Sequence, residues 1–361
     1  MRARRFGARL FVAAAAFSLI AAACGGSDSG DGASASASGP CTQAETPQLT
    51  FAAYSTPREV YGKIIAAFQA KWKEEHNDQQ VIFLESYGGS TTQAQNIVNG
   101  FEADVVALSL APDVNYIEDA GLITHDWTTA PDKGMVSTSV VVLDVRPGNP
   151  KGFADFNDIG ASGIGVLTPD PASSGGARWN IVSIYGSAMR GYAGNAEGDE
   201  AGAQTLLTNV FKTVIALDKS ARDSIKNFEG GNGDVAITYE NEVFTAQDAG
   251  LPDEAVYPPS SILIENPAAV VDANVDKHCV RDVAEAFVEY LHSDEAKEYY
   301  RTVGFLRPTD LAAAQAGDKE MGFPPIEDLW SVDDFGGWDA LNEKLFSENG
   351  IFTQAFAAAQ G

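Results

Sequence analysis

What most limits the fold of this chain is an apolar period that switches repeatedly between that of a strand and that of a helix. Gln48–Tyr54 is a short apolar run of strand character. Thr56-Pro57-Arg58-Glu59 then opens a helix, with Thr56 as N-cap, Pro57 at the first position and Glu59 completing a capping box. Val60, Ile64 and Phe68, with Tyr61, Ile65 and Trp72, supply its buried face. Residues 81–85 form the next strand, Gly88-Gly89-Ser90 interrupts, and Ala94, Ile97, Val98 and Phe101 mark a second helix before a strand at 104–110. A βαβαβ order of this kind implies a parallel sheet with helical crossovers, an α/β fold.

The pattern restarts after the β-branched run 140–145 and its Arg146-Pro147-Gly148 end. A strand at 164–167, a glycine-rich turn at 173–176 and a helix carrying Trp179, Val182, Ile184 and Tyr185 follow. Further strands fall at 214–217, 235–239, 262–264 and 268–271, the last two split by Pro267, and a helix spans 280–300. The folded part, from about residue 47 to 361, exceeds one ordinary core, so two lobes are expected. We place 47–138 and 262–361 in the first lobe and 139–261 in the second. The expected hinges lie near 139–146 and 258–268, with a ligand cleft at the carboxyl ends of the strands.

The amino terminus is of a different kind. Arg2, Arg4, Arg5 and Arg9 precede an apolar stretch from Leu10 to Ala23, shorter than the ~20 residues that span a bilayer. Ala21-Ala22-Ala23-Cys24 with Gly25-Gly26 behind it resembles a bacterial lipobox. The resemblance implies a signal peptide at 1–23, cleavage before Cys24 and lipidation of its sulfur; ordinary signal cleavage beside an incidental cysteine is the alternative. Residues 24–46 are rich in Gly, Ser, Ala and Asp and read as a flexible tether. The Arg4-Arg5 pair fits twin-arginine export and equally an ordinary charged leader.

The formal charge is −26, and the four arginines that leave with the leader take it to about −30. So acidic a surface excludes nucleic acid and anionic membranes as partners, membrane association being through the lipid alone. With Cys24 set aside, Cys41 and Cys279 remain. An exported compartment permits a bridge between them; two free thiols are the alternative.

The chemistry gathers at junctions from strand to helix. Tyr54-Ser55-Thr56, Gly88-Gly89-Ser90-Thr91, Ser173-Ser174-Gly175-Gly176-Ala177 and Ser220-Ala221-Arg222-Asp223-Ser224 are all rich in small and hydroxyl residues. The first four N–H groups of a helix lack internal partners, and the aligned peptide dipoles add about half a positive charge there. Such a terminus suits an anion, and glycine lets the backbone come close. One junction is more often a plain cap than a ligand site. Four of them in a two-lobed chain point to an anion.

Beyond the junctions, longer motifs resemble the periplasmic sulfate-binding proteins. They are Gly88-Gly89-Ser90, Glu102-Ala103-Asp104-Val105-Val106, Ser173-Ser174-Gly175-Gly176-Ala177-Arg178-Trp179-Asn180, Gly233-Asp234-Val235, Glu240-Asn241-Glu242, Pro259-Ser260-Ser261-Ile262-Leu263, Val270-Val271-Asp272 and Phe335-Gly336-Gly337-Trp338. They run in order from about residue 48 to the carboxyl terminus. The resemblance implies a two-lobed type II periplasmic binding fold enclosing a sulfate ion. It also implies an extracytoplasmic monomer, held to the cell membrane through Cys24, that delivers the ion to the permease subunits of an ABC importer. Carried over by position, the ligand set is the Ser90 hydroxyl and the N–H groups of Ser174, Gly175, Gly176, Ala221 and Ser55. The family carries an acidic residue where Ser55 stands, and a tryptophan indole donor where this chain has Tyr239. The spacing from Ala221 to Tyr239 is one residue shorter than in the family, which weakens the Ala221 assignment.

The residues agree with that implication. Sulfate at neutral pH offers only acceptor oxygens, so a pocket of donors suits it, whereas phosphate keeps a proton and benefits from an acceptor carboxylate. The 173–177 turn has none. Asp223 lies near the fourth junction and is expected to face away or cap its own helix. Arg178 is either a donor steadying the glycine turn or a surface ion-pair partner. Arg58, a cation in a helix first turn, opposes the dipole and calls for a tertiary partner, such as a carboxylate at the cleft. Trp72, Trp179 and Trp338 read as core. His76, His125, His278 and His292 show no metal-ligand spacing, and no Walker, Cys-x-x-Cys or G-x-S-x-G motif is present, so no cofactor, metal or enzyme activity is expected. The alternatives kept open are a binding protein for thiosulfate, molybdate, tungstate or phosphate, and a serine hydrolase using Ser90 or Ser174.

Overall fold

Strand β1 (Gln48–Tyr54) leads into helix α1 (Arg58–Glu75), followed by β2 (Ile82–Gly88), α2 (Ser90–Val98), β3 (Val105–Ala107) and α3 (Ala111–Asp119). Next come β4 (Met135–Val145), α4 (Phe156–Ile159), β5 (Val166–Pro169), α5 (Gly175–Met189), α6 (Glu200–Thr213), β6 (Val214–Asp218), α7 (Ala221–Glu229), β7 (Val235–Tyr239), α8 (Glu240–Asp248) and β8 (Glu254–Val256). The chain ends with β9 (Ser260–Val270), α9 (Asp272–His278), α10 (Arg281–Leu291), α11 (Asp294–Thr302), α12 (Leu311–Ala316), β10 (Asp328–Trp330), α13 (Gly337–Leu341) and α14 (Ile351–Gln360). This computed structural model describes residues 41–361. The leader, Cys24 and the tether up to residue 40 lie outside the described residues.

The strands run in the order β2-β1-β3-β9-β4-β7-β5-β6, with β10 beside β9 and β8 beside β4. β1 is parallel to both β2 and β3, and β5 is parallel to β6 and β7, as the alternating pattern requires. Two long strands join these halves. β4 pairs with β9 through Val140 and with β7 from Val141 onward. β9 pairs with β4 over Leu263–Pro267 and with β3 over Ala268–Val270, antiparallel in both cases. The sheet is therefore mixed. Pro267 does not split β9. It sits where the β4 register shifts between Met135 and Ser137, a point at which a missing N–H is tolerated.

Each half has its own core. Phe51 of β1 meets Tyr61 at 5.0 Å and Phe287 at 5.5 Å between ring centres, and Phe68 closes the same cluster. Fully burying side chains of this size contributes ~1.5–3 kcal/mol each. In the other half Trp179, Leu207 and Val210 pack with Leu341, Leu345 and Phe352. The carboxyl-terminal helices thus do not stay with the first half, where the expected division put them. Phe211 of α6 stacks edge-on to Phe352 at 5.0 Å, and Trp179 of α5 meets Trp338 at 4.7 Å, which draws this segment onto the second half.

Two local expectations change. The helix expected over 280–300 is broken between α10 and α11, where the Ser293 hydroxyl caps the Ala296 N–H at 3.1 Å. Thr56 does not cap α1: its hydroxyl is buried without a partner, and Glu59 is taken by Arg222 instead of reaching back to the helix start. Cys41 and Cys279 are joined by a disulfide, their Cα atoms 5.3 Å apart.

Candidate functional site

The strand-to-helix turns converge from both halves on one small cavity. Tyr54, Ser55 and Thr56 reach it from the end of β1, Gly88, Gly89 and Ser90 from β2, and Ser109 from β3. Across from them stand Ser174 and Gly176 at the start of α5, Ala221 at the start of α7 and Tyr239 at the end of β7. Its free volume is about 10 Å³, room for about one water, so the halves are closed tightly around it. No lining residue is charged.

Of the residues singled out in the sequence, Ser55, Ser90, Ser174, Gly176, Ala221 and Tyr239 line the cavity. Gly175 does not. A Cβ on it would lie 2.8 Å from Leu110 and from the Ser109 hydroxyl, so its lack of a side chain lets the two halves meet. Gly89 plays the reciprocal part, since a Cβ there would fall 2.3 Å from the Ser173 carbonyl and 2.7 Å from that of Lys219. The Thr92 N–H donates to the Ser173 carbonyl at 3.1 Å beside this contact.

The hydrogen bonds reassign two serines. The Ser90 hydroxyl donates to Asp113 at 2.5 Å and accepts from the Ser109 N–H at 2.9 Å, so it holds no proton for the cavity. The Ser174 N–H donates to the Asp170 carbonyl at 2.9 Å. Its hydroxyl makes no capping bond to α5 and stands beside Gly176 at the cavity. The Ser90 hydroxyl and the Ser174 N–H, the two groups expected at the ion, are thus both engaged within the protein.

Asp113, Ser109 and Asn266 were missed in the sequence, and Tyr54 and Thr56 were named only as part of a junction. Ser109 is the hub. Its hydroxyl bonds the Tyr239 phenol at 2.7 Å, and its carbonyl accepts from the Trp179 indole at 2.8 Å and from Asn266 at 3.0 Å. Asn266 in turn accepts from the Tyr54 phenol at 2.8 Å. Trp179 is thus core and also a donor that ties α5 to the β3 end. The one available signal was position: Ser109 ends a strand just before Pro112 in the first turn of α3, as the other junction residues end theirs.

Burial pushes the Asp113 carboxyl up to about 6, opposed by the Ser90 and Thr91 hydroxyls and the charge of Arg178. Its Oδ2 is occupied by those two hydroxyls and is not presented to the cavity. Burial also raises Tyr239 well above its usual range and so keeps its phenol neutral at physiological pH.

The charged residues near the motifs have definite places. Asp223 pairs with the Ser220 hydroxyl, which caps α7 in return, and so faces its own helix. Arg178 makes no salt bridge among the described residues. It reaches the Pro171 carbonyl and Asn342 at 3.4 Å each and lies over the Phe346 ring, bracing the turn before α5. Arg58 lies over the Tyr87 ring at 5.2 Å rather than on a carboxylate. The Glu240-Asn241-Glu242 motif is structural. Glu240 pairs with Arg307 in full burial, Asn241 accepts from Ser139, and Glu242 holds Arg222. Arg222 also grips Glu59 across the halves at 2.6 and 2.9 Å and the Thr56 carbonyl at 2.7 Å.

Two α/β halves closed over a small uncharged cavity, with helix starts aimed at it from both sides, define a two-lobed solute-binding protein. The chain belongs to the bacterial extracellular solute-binding proteins, whose family model matches residues 49–306. It is 38% identical over 346 residues to the sulfate-binding protein of Synechococcus elongatus, covering 95% of this chain and 94% of that one. To the sulfate-binding protein of Salmonella typhimurium it is 41% identical over 312 residues, 85% of this chain and 92% of the other. Among solved structures, the sulfate-binding protein SubI from Mycobacterium tuberculosis superposes with a TM-score of 0.73 at 32% identity, over 83% of this chain and all of that one. The fold is that of the two-lobed periplasmic binding proteins. Among the described residues, no helix is long and apolar enough to cross a membrane.

Proposed function

We propose that this chain captures sulfate outside the cytoplasm and passes it to an ABC importer. The observation that carries this is the uncharged cavity on which the starts of α1, α2, α5 and α7 converge. The donors assigned to the ion are the N–H groups of Ser55, Ser90, Gly176 and Ala221 and the hydroxyls of Ser174 and Tyr239, all on residues that line the cavity. Each hydrogen bond to a charged group contributes ~1.5–3 kcal/mol, and a partly buried helix start up to ~2. A micromolar complex needs about 8 kcal/mol, so these terms suffice without a cation at the ion.

The same donors select against a protonated ion. Phosphate would bring a proton into the cavity, where the nearest carboxylate, Asp113, already accepts from Ser90 and Thr91. A hydrolase reading has less support, since no histidine lines the cavity and the Ser90 hydroxyl is bound to Asp113, away from it. The lobes divide at β4 and β9, the residues from about 330 onward riding with the second lobe, and closure brings Gly89 and Gly175 against the opposite half. The lipid at Cys24 holds the protein at the membrane beside the permease.

Calorimetric titration of ion-free protein with sulfate, thiosulfate, molybdate and phosphate tests the reading. Sulfate is expected to bind at micromolar Kd or tighter and phosphate at least ~100-fold more weakly, a gap of about 2.7 kcal/mol. Equal affinity for sulfate and phosphate, or no heat with sulfate, overturns it. Mass spectrometry of membrane-extracted protein tests the lipid on Cys24.

A further inference from the structure

Beside the small cavity lies a solvent-open basin of about 740 Å³ that shares Ser55, Gly88 and Gly89 with it, so the basin forms the mouth of the site. Four cations border it, Arg58 from α1 and Lys219, Arg222 and Lys226 from the β6–α7 side, against three carboxylates, Glu59, Asp170 and Asp223. A local excess of cations is unexpected in a chain of formal charge −26.

The pairing sharpens the point. Arg222 is neutralised by Glu59 and Glu242. Asp223 and Asp170 keep their charges but are held within their own segments, by the Ser220 hydroxyl and by the Ala172 N–H at 2.8 Å. Arg58, Lys219 and Lys226 are exposed, and among the described residues no carboxylate lies within ion-pair distance of any of them. Arg58 even occupies the first turn of α1, where the helix dipole disfavours a cation, and is held over Tyr87 instead.

We propose that Arg58, Lys219 and Lys226 form an outer anion-capture rim that draws a small dianion to the mouth and leaves its final holding to the neutral donors inside. The inference rests on the sulfate reading above. The net negative charge of the chain repels a dianion at long range, but physiological salt screens beyond ~8 Å, so the charges at the mouth govern the last approach. Rim charges of this kind alter association rate and salt dependence more than the lifetime of the complex.

The test is stopped-flow tryptophan fluorescence with sulfate on the full chain, comparing wild type with the R58Q/K219Q/K226Q variant. A K63Q/K212Q/K319Q variant, made at exposed lysines away from the basin, carries the same change in net charge. At ionic strength ~0.01 M, where the screening length is ~30 Å, the rim variant should associate ~10-fold more slowly, with koff within about twofold. At ~1 M, where that length is ~3 Å, the three proteins should converge. An unchanged association rate in the rim variant overturns the proposal. So does an equal loss in the remote variant, or a loss that persists at ~1 M. If wild type shows no sulfate binding at all, the sulfate reading fails first and the rim with it; wild-type binding with an unaffected rim variant refutes the rim alone.

Discussion

Replacing Glu59 with Gln should loosen the closed state without hindering its formation. Glu59 at the start of α1 and Arg222 at the start of α7 belong to opposite halves, and their two parallel contacts of 2.6 and 2.9 Å break when the cleft opens. The Arg222 side chain is 16% exposed and that of Glu59 47%, so solvent weakens the pair. An exposed pair contributes 0.2–1 kcal/mol, and bidentate geometry places this one near the top of that span, at about 1 kcal/mol. The expected result is a sulfate off-rate ~5-fold faster in E59Q, by the ~1.4 kcal/mol that corresponds to tenfold, read by stopped-flow displacement, with kon nearly unchanged. Burial tends to raise the Glu59 carboxyl, but hydrogen bonds from Arg222 outweigh it and hold the group below its ordinary value. The contribution is therefore present above the ordinary carboxylate pKa and lost only as pH falls through the lowered one. The wild-type off-rate should stay flat on mild acidification and rise in stronger acid, a rise that E59Q lacks. An off-rate equal to wild type at neutral pH, or an effect confined to kon, would refute the reasoning.

Gly175→Ala should weaken sulfate binding at least tenfold in calorimetry while the melting temperature stays near wild type, because the added methyl meets Ser109 and Leu110 only when the halves are closed. Asp144 lies buried with both carboxylate oxygens unpartnered, and burial, reinforced by nearby Asp253, raises it to about 9. The folded state then keeps a proton that the unfolded chain releases, so stability present below the ordinary carboxylate pKa is lost as pH rises toward about 9. Asp144→Asn should flatten that decline and stabilise the fold by ~2–4 kcal/mol at neutral pH in urea titrations; a destabilised variant would contradict this. Reducing the Cys41–Cys279 bridge, which closes a 238-residue separation, should lower unfolding free energy by ~2–5 kcal/mol.

Much of the architecture was legible because period and propensity agreed with tertiary packing. Gln48–Tyr54 and Val235–Tyr239 fall where the apolar runs placed them, and the parallel pairs follow from the βαβ order. The misses share one cause: distant partners override a local signal. Glu59 fits a capping box, yet a cross-cleft arginine takes it. The segment around α14 follows the first half in sequence, yet Phe352 and Trp338 find their aromatic partners on α6 and α5. Pro267 looks like a strand break until the bulged register opposite it is known.

At the site, residue type was readable and atom role was not. A serine at a helix start offers an N–H and a hydroxyl, and only its neighbours in the folded chain decide which one is free. Ser90 loses its hydroxyl proton to Asp113, 23 residues away, and Ser174 loses its N–H to Asp170 within its own turn. The consequence is chemical. The Ser90 hydroxyl is held by Asp113 and Ser109, whereas Thr56, which lines the cavity from the same half, keeps a buried hydroxyl without a partner, so each half brings a rotatable donor, Thr56 on one side and Ser174 on the other.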